Sequence, residues 1–377
     1  MDDDMSRYEP IGLSDEQADL LESANKYCAD KSPIETVRRL LEDDLGYDPA
    51  IFAEIAELGW LGIAIPESYG GAGLGLAEVV PVVEQMGRNL MAGPFVSTTL
   101  AAQALLAAGT EAQRSRVLPE LAAGAPAALA LMEPHADWDP SHIDCRAERK
   151  GDSLVLSGTK TFVEGAEAAQ WIVVSVKLDD APALVLLDSE AIARCGRRRE
   201  QVIDETRRSF QLVLDGVSIQ EDALLDVSLA MNALGRVELA GSLLTTAEMC
   251  GGGVSCINYT VGYLGTRKQF GRPIGSYQAL KHPIVEAHVG IEQARSHLYA
   301  AAHTFESDDQ GEVAVRMAKA HTGPAFAFAA DRAIQFHGGY GFTYECDAQL
   351  YRRRAIWCEN QHGDALYHRR KLADLIL

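Results

Sequence analysis

The chain has 377 residues, 47% of them hydrophobic, which is enough for a large buried core and for two or three structural units. Its formal net charge of -20 argues against a nucleic-acid partner held by phosphate contacts. The acidic amino-terminal segment MDDDMSRYEP lacks the positive charge and apolar run of a secretory signal, and no segment has the roughly 18–20 apolar residues of a membrane span, so we expect a soluble, cytoplasmic protein with no membrane partner.

Residues 1–125 are predicted to form an N-terminal α-helical domain. From residue 14 onward, segments such as DEQADLLESANKYCA and FAEIAELGWLG carry apolar residues at helical spacing. The segment IAIPESYGGAGLGLAEVV interrupts this pattern with Pro66 and a cluster of glycines, which predicts a tight loop. Its GGAGLG portion lacks the Gly-Lys-Ser/Thr ending of a phosphate-binding loop, so we interpret it as a turn.

The pattern then changes from helices to strands and back to helices. Alternating apolar residues in SLVLSG, TKTFVEG, WIVVSVK, ALVLLD and FQLVLDGV predict a middle β domain over residues 126–226. Helical periodicity returns after Asp226 and predicts a helical C-terminal domain over residues 227–377. Separate blocks of helices and strands indicate an α+β fold with segregated layers and disfavour a Rossmann fold. The longest helical patterns of the last domain cover 228–265, 277–306, 311–337 and 347–375.

The cysteines indicate neither a metal site nor a disulfide framework. Their number is odd and no two form a Cys-x-x-Cys pair, so we predict reduced, buried thiols and no bound metal. The seven positions are Cys28, Cys145, Cys195, Cys250, Cys256, Cys346 and Cys358.

Two motifs in the C-terminal domain are candidates for ligand binding. In RKQFGRPIGSYQALKH, residues 267–282, basic side chains at the end of one helix precede the start of the next, an arrangement that suits a phosphate or pyrophosphate. In QFHGGYGF, residues 335–342, paired glycines end a helix and allow a ligand to approach the backbone. Taken alone, the first is equally a charged interhelical loop and the second a simple helix cap.

Together with the order of the layers, these motifs resemble the acyl-CoA dehydrogenase family across nearly the whole chain. The segments that match are LGWLGIAIPESYGGAGLGLAEVVPVVEQMGR from Leu58, MEPHADWD at 132–139, GTKTFVEGAEAAQWIVV at 158–174 and the two motifs above. The resemblance implies a multidomain fold with an N-terminal helical domain, a middle β-barrel or sandwich domain and a C-terminal four-helix bundle. It also implies FAD as cofactor and an acyl-CoA substrate that is oxidised to its enoyl thioester.

In this family FAD lies at a dimer interface, and one subunit's arginine and Gln-Gly-Gly motifs hold the pyrophosphate and adenosine end of the FAD whose ring rests on the other subunit. An arginine can neutralise a pyrophosphate, and glycines expose backbone N–H groups to its oxygens. All of the matching positions are retained, and the resemblance implies that these residues bind FAD: Arg267, Gln269, Phe270, Gln278, Gln335, Gly338 and Gly339.

The residues expected against the flavin ring depart from the family pattern. Met132 and Trp138 stand where the family usually has threonine and serine, and Phe162, Val163 and Glu164 replace its Trp-Ile-Thr. A threonine hydroxyl can donate a hydrogen bond to the flavin, whereas methionine cannot, and glutamate adds negative charge beside a ring that becomes anionic on reduction. We therefore expect this chain's own ring site to be impaired.

Neither position of the usual catalytic base holds a carboxylate. The family reaction transfers the α proton of the thioester to a carboxylate while a hydride passes to the flavin. Aligned without gaps, the two base positions fall on His362 and Gly241. His362 and Glu248 are candidate replacements, and Glu359 is a further nearby carboxylate; the alternatives are a helix-end histidine and solvated or ion-paired glutamates.

The carboxyl-terminal pattern is similar to that of actinobacterial dehydrogenases of sterol side-chain breakdown, which are α2β2 heterotetramers with one degenerate subunit. The resemblance implies a second acyl-CoA dehydrogenase subunit as partner, a bulky acyl-CoA substrate and an electron-transferring flavoprotein as acceptor. Two alternatives stay open. The first is a self-sufficient homo-oligomeric enzyme with His362 or Glu248 as base, and the second is a flavin-free scaffold subunit.

Overall fold

The computed structural model describes residues 12–139, 142–307 and 310–377. Helices come first, strands follow and helices return, which confirms the α+β fold with a helical N-terminal part, a central sheet part and a helical C-terminal part. Contacts divide the chain into two compact units, each built from separate stretches. We call them the bundle unit (residues 12–39, 76–91 and 242–377) and the sheet unit (residues 40–75 and 92–241). Within the described residues, no helix has the length and apolar character required to cross a membrane.

The helices and strands are numbered in chain order. The helices are α1 (Asp15–Lys31), α2 (Ile34–Leu41), α3 (Pro49–Glu57), α4 (Leu76–Arg88), α5 (Phe95–Ala108), α6 (Glu111–Ala122), α7 (Ser189–Arg194), α8 (Ala230–Thr266), α9 (Gln278–Thr304), α10 (Gly311–Phe336), α11 (Ala348–Asn360) and α12 (Ala365–Ile376). The strands are β1 (Ala127–Ala130), β2 (Arg146–Lys150), β3 (Ser153–Ser157), β4 (Thr159–Glu164), β5 (Trp171–Leu178), β6 (Ala181–Leu187), β7 (Gly196–Glu200), β8 (Ser209–Val213), β9 (Val217–Gln220), β10 (Lys268–Gln269) and β11 (Arg272–Pro273).

In the bundle unit, α4 and α8 cross at backbone contact distance. A Cβ atom at Gly251 would lie 1.8 Å from the carbonyl oxygen of Glu84, and one at Gly87 would lie 2.2 Å from that of Glu248. Only glycine fits at either position, because both neighbours are backbone atoms that cannot move aside. The close crossing brings Glu84 within reach of α9, where Arg295 Nε donates to it at 2.5 Å.

The sheet unit contains two sheets. One has the order β1-β5-β2-β3-β9, with β6 on the other side of β5, and the second has the order β4-β8-β7. β5 is buried along most of its length, because it pairs with β1 and β2 along one edge and with β6 along the other. The apolar residues of these sheets and of α5 and α6 form one buried core.

The GGAGLG segment is a turn, as the sequence predicts. Ala72, Gly73 and Leu74 donate their backbone N–H groups to carbonyls of residues 62–65. A Cβ atom at Gly71 would lie 2.0 Å from the carbonyl oxygen of Ile65, so this position requires glycine. These donors already bond within the chain, and the segment does not offer a phosphate cradle.

The single helix predicted over 347–375 is wrong. The structure has two helices, α11 and α12, separated by residues 361–364. His362 and Gly363 have positive φ values of 55° and 94°, and the Asp364 side chain accepts a hydrogen bond from Tyr367 N at 2.7 Å to begin α12. A left-handed glycine followed by an N-cap aspartate ends one helix and starts the next, although the apolar spacing continues on both sides.

Candidate functional site

Six of the seven candidate FAD-binding residues lie on two short segments of the bundle unit. Residues 267–273, here called the arginine hairpin, follow the end of α8, and residues 335–342, the glycine turn, begin at the end of α10. The seventh residue, Gln278, is the first residue of α9. Since α9 and α10 are neighbouring antiparallel helices, the start of α9 and the end of α10 share one end of the bundle.

The arginine hairpin presents an aromatic residue outward. Phe270 and Gly271 connect β10 to β11 and have φ values of 51° and 81°. Two positive φ values are typical of a tight type I′ hairpin turn, where a bulky residue such as Phe270 is strained. Phe270 is nevertheless 91% exposed, so packing within the chain does not explain its presence. Strain at an exposed residue favours a role in binding.

Tyr277 contacts both strands of the arginine hairpin. Its hydroxyl donates to Gln269 O at 3.2 Å, and its ring lies 4.1 Å from the guanidinium of Arg272. Tyr277 is also the N-cap of α9 and makes no capping hydrogen bond with its side chain. The first N–H groups of α9 therefore receive no side-chain cap and are available for a negatively charged group, and Arg267 is exposed.

The glycine turn leaves space around its backbone. Gln335, Gly338 and Gly339 are exposed, and a Cβ atom built at either glycine meets no other atom within 4 Å. Gly338 has a φ of 63°, which favours glycine. The exposed faces of the two glycines leave room for a ligand to contact the backbone directly.

Together, the two segments fit the pyrophosphate and adenosine end of FAD. They combine an exposed arginine, the uncapped start of a long helix, two open glycines and an exposed phenylalanine, which are the groups that a dinucleotide requires. When bound, FAD supplies the hydride acceptor. At these segments the chain would bind and orient FAD, and the assignment of the seven residues stays a prediction.

The residues expected at the ring lie in the sheet unit. Met132 is buried, and its carbonyl accepts a hydrogen bond from Thr161 N at 3.0 Å. The pairing of β4 with β8 is irregular between Lys160 and Val163, and Phe162 within this bulge has a φ of 53° and is 40% exposed. Val163 is buried, and Trp138 is partly buried.

Glu164 faces an arginine of its own unit. Its carboxylate lies 3.8 Å from Arg207 Nη1, and both residues line an open pocket together with Tyr47, Ser97 and Thr206. The hydroxyl that the family has at this position is thus replaced by one half of an ion pair. This arrangement supplies no neutral hydrogen-bond donor in place of the threonine.

His362 is held in the break between α11 and α12. Its carbonyl accepts hydrogen bonds from Ser242 Oγ at 3.2 Å and from His368 Nε2 at 2.8 Å. Burial, followed by the positive charge of Lys319, lowers the pKa of His362 to about 3. An imidazole with so low a pKa is a weak proton acceptor at neutral pH, because an efficient general base has a pKa near the working pH.

The buried amine of Lys319 donates hydrogen bonds to the backbone around the same break between α11 and α12. Lys319 Nζ donates to the carbonyls of Cys358, Glu359 and Gly363 at 3.1, 3.0 and 2.9 Å. The first two belong to the last turn of α11, where carbonyls have no helical partner. Lys319 therefore caps α11 and fixes the backbone at His362.

Lys319→Met is expected to lower the free energy of unfolding by about 2–3 kcal/mol at pH 7, because the carbonyls of Cys358, Glu359 and Gly363 lose the hydrogen bonds from Lys319 Nζ. Burial lowers the pKa of Lys319 from 10.5 to about 8. Between these values the unfolded chain binds the proton more tightly than the folded chain, so the stability of the wild type should rise with pH. Denaturant unfolding at pH 8 and pH 10 should show a wild-type advantage that grows with pH. A stability difference between wild type and Lys319→Met that stays constant from pH 8 to pH 10 would contradict the lowered pKa of Lys319.

His368 is expected to make the protein sensitive to acid. Its Nε2–H donates to His362 O, and its Nδ1 faces Arg316 Nη1 at 3.4 Å, so a second proton would meet a cation. Burial, followed by Lys319, lowers the pKa of His368 from 6.5 to about 3. The unfolded chain then binds more protons below about pH 6.5, and lowering the pH to 5 should cost about 2 kcal/mol through this residue.

The measurement is denaturant unfolding of wild type and His368→Gln at pH 7 and pH 5. The variant should lose less stability on acidification than the wild type. Equal losses in the two proteins would show that His368 titrates normally.

Glu248 is engaged in a buried ion pair. Arg354 Nη1 donates to Glu248 Oε1, and the arginine side chain is 0% exposed. A carboxylate that balances a fully buried guanidinium cannot accept a proton without leaving that charge uncompensated. The geometry favours a structural role for Glu248.

Among the residues that the structure describes, one group of potential metal ligands is present, and it lies in the sheet unit. Ligand atoms of Glu133, His135 and Asp144 lie within 4.8 Å of one another. However, the Glu133 carboxylate already accepts from Lys160 Nζ at 2.6 Å and from the backbone N–H groups of Asp144 and Cys145 at 2.8 and 3.1 Å. Because its oxygens are engaged in this way, we infer no metal site.

The sequence did not reveal the residues that support the candidate site. Lys319 and Arg354 each contact residues distant in sequence, and no local pattern marks them. Tyr259 and Tyr263, whose rings stack on His337, could have been paired from the sequence, because a spacing of four residues places them on one face of α8. His337 lies inside the motif QFHGGYGF but has no counterpart among the predicted ligands.

Comparison with protein families gives two matches. The model described as acyl-CoA dehydrogenase, N-terminal domain, matches residues 14–125, and the model described as acyl-CoA dehydrogenase, C-terminal domain, matches residues 233–374.

Among curated proteins, acyl-CoA dehydrogenase FadE12 of Mycobacterium tuberculosis is 32% identical over 313 residues, which is 78% of this chain and 79% of the relative. Acyl-CoA dehydrogenase IpdE2 of Mycolicibacterium smegmatis is 30% identical over 357 residues, or 94% of each chain. Among solved structures, a variant of the Tcur3481-Tcur3483 steroid ACAD aligns with a TM-score of 0.85 and 28% identity, covering 96% of this chain and 97% of that one.

Proposed function

Since this chain belongs to the acyl-CoA dehydrogenase family, whose cofactor is FAD, we propose that it is one subunit of a heteromeric dehydrogenase that oxidises an acyl-CoA between its α and β carbons. The observation that carries the proposal is a contrast within the chain. The two segments suited to the far end of FAD are intact and exposed, whereas the ring side and both base positions depart from what the reaction needs.

The chain's own part is to hold a cofactor whose ring lies on another subunit. Arg267 neutralises the pyrophosphate, and the first N–H groups of α9 donate hydrogen bonds to it. Gly338 and Gly339 leave room for the pyrophosphate to contact the backbone. Phe270 extends from the strained hairpin toward the same partner. An exposed aromatic at the tip of a turn is suited to a pocket on another protein.

The partner supplies the catalytic base. At the two usual positions this chain has Gly241, which has no side chain, and His362, whose pKa is about 3. Glu248 is committed to Arg354. The α proton therefore passes to a carboxylate of the second subunit, which lies across the substrate from its own flavin ring.

The substrate is a bulky acyl-CoA, such as one with a sterol side chain. Support comes from the similarity to the Tcur3481-Tcur3483 steroid ACAD. We take the electron acceptor to be an electron-transferring flavoprotein and place the complex in the cytoplasm.

Two alternatives lead to different outcomes. A self-sufficient homo-oligomer would need His362 or Glu248 as base, and the low pKa of the first and the ion pair of the second argue against it. A flavin-free scaffold would need neither Arg267 nor the glycine turn. The exposure of both segments favours binding over scaffolding.

The test is acyl-CoA oxidation with an artificial electron acceptor. It is measured for this chain alone, for a candidate partner dehydrogenase subunit alone and for the two co-expressed. Turnover should appear only with both subunits. Turnover by this chain alone would refute the proposal in favour of the homo-oligomer.

A further inference from the structure

We propose that His337 is a positioning residue that locks the arginine hairpin and the glycine turn into one arrangement before FAD binds. The inference rests on the proposed function, because it assumes that these two segments hold FAD. It adds a residue that the family resemblance did not supply.

The imidazole of His337 lies between two tyrosine rings of α8. Its centroid is 4.9 Å from that of Tyr259, with an interplanar angle of 14°, and 4.3 Å from that of Tyr263, with an angle of 27°. His337 is only 3% exposed. Tyr259 and Tyr263 are one helical turn apart, so they form a slot that a single flat ring fills.

This stack connects the two segments directly. Tyr263 precedes Arg267 by four residues, and its carbonyl accepts the Arg267 N–H at 2.9 Å. His337 stands between Gln335 and Gly338 in the glycine turn. A shift of either segment would have to separate the stacked rings.

A hydrogen bond fixes the orientation of the ring. His337 Nδ1 lies 2.8 Å from Ala333 O, and because a carbonyl only accepts, Nδ1 carries the proton. Nε2 is then a bare acceptor, and it is buried without a hydrogen-bond partner among the described residues. Burial also lowers the pKa of His337, which keeps this tautomer neutral.

Hydrogen bonds also hold residues 344–347, which follow the glycine turn. Tyr259 Oη accepts the Asp347 N–H at 3.4 Å, and Arg38 donates to Asp347 Oδ1 and to the carbonyls of Tyr344 and Glu345 at 3.0, 2.7 and 3.0 Å. Both ends of the turn are thereby held, and the exposed glycines lie between two fixed points. Preorganisation of this kind favours binding, since less conformational freedom is lost when the ligand arrives.

The test compares His337→Ala, His337→Phe and the control His321→Ala in the full chain. His321 is a partly buried histidine on the same helix, and its Nε2 lies 3.3 Å from Gly290 O, away from the glycine turn. Two quantities are measured: FAD affinity of the co-expressed complex, and amide hydrogen exchange of residues 263–273 and 333–345 in the chain without FAD.

We expect His337→Ala to weaken FAD binding by roughly tenfold or more and to speed exchange in both segments. His337→Phe keeps the stack but loses the hydrogen bond, so it should weaken binding by roughly two- to fivefold and speed exchange mainly in the glycine turn. His321→Ala should change neither quantity.

Wild-type affinity and exchange in His337→Ala would overturn the inference. If His337→Ala does not fold, wild-type affinity and exchange in His337→Leu, which also lacks the flat ring, would overturn it. Weaker FAD binding with unchanged exchange would also overturn it, because His337 would then act by direct contact. The proposed function is tested separately. It is refuted if Arg267→Ala leaves the flavin content of the complex unchanged. If Arg267→Ala loses FAD but the His337 variants behave like wild type, only the positioning role is refuted.

Discussion

Replacing Glu248 by alanine is expected to lower the free energy of unfolding by about 3–5 kcal/mol, because it leaves the guanidinium of Arg354 buried without a counter-charge. Arg354 is among the largest fully buried side chains of the bundle unit. Glu248 also lies at the crossing of α4 and α8, where a Cβ atom at Gly87 would lie 2.2 Å from the Glu248 carbonyl oxygen. Equilibrium denaturant unfolding measures the effect.

A matched double variant separates an ion pair from a catalytic role. Glu248→Leu combined with Arg354→Met removes both charges and fills similar volume, so it should recover most of the lost stability. If Glu248 were the catalytic base, the outcome would be different. Glu248→Ala would then fold with wild-type stability and abolish turnover.

Arg267→Ala should release FAD from the complex. An arginine that neutralises a pyrophosphate at a buried interface contributes about 2–5 kcal/mol, so the loss amounts to roughly thirtyfold or more in Kd. Arg267 follows directly after α8 and is exposed, so its removal should leave the fold intact. Flavin absorbance after gel filtration of the co-expressed complex gives the result.

Lys268→Ala is the matched control. It removes the same charge from the neighbouring position, and alternation along a strand points Lys268 to the opposite face from Gln269. Its flavin content should stay near that of wild type. Equal losses in the two variants would indicate a general electrostatic effect and not a pyrophosphate contact.

The sequence predicted the fold because local patterns carry it. Alternation in segments such as WIVVSVK and ALVLLD identified β5 and β6, and helical spacing identified α8, α9 and α10 to within a few residues. The break at residues 361–364 was missed although Gly363 and Asp364 are ordinary stop and start signals. The apolar pattern on both sides was given more weight than those two residues.

The candidate site was predictable only where a motif marks it. Arg267 and the paired glycines lie in contiguous motifs, and the structure places them on exposed segments at one end of the bundle. Lys319 and the partner of Glu248 depend on contacts across 40 to 106 residues of sequence, which no local pattern encodes. The stacking of His337 between two tyrosines likewise required the packed helices.

The proposed composite site would explain why this chain departs from the family pattern at some positions and keeps it at others. Under the proposed function, the residues that would contact a neighbouring subunit's flavin are retained, because their loss would inactivate the complex. Residues that would serve a local ring and base, such as those at positions 164 and 362, are instead bound into an ion pair and a helix break. The composite site thus accounts for both sets of residues with one arrangement.

Flavin stoichiometry tests this central claim most directly. The chain is purified alone and co-expressed with a second dehydrogenase subunit, and FAD is quantified against protein in each preparation. We predict a chain without flavin when it is alone and one FAD per heterodimer in the complex. One FAD per subunit in the chain purified alone, together with turnover, would contradict it.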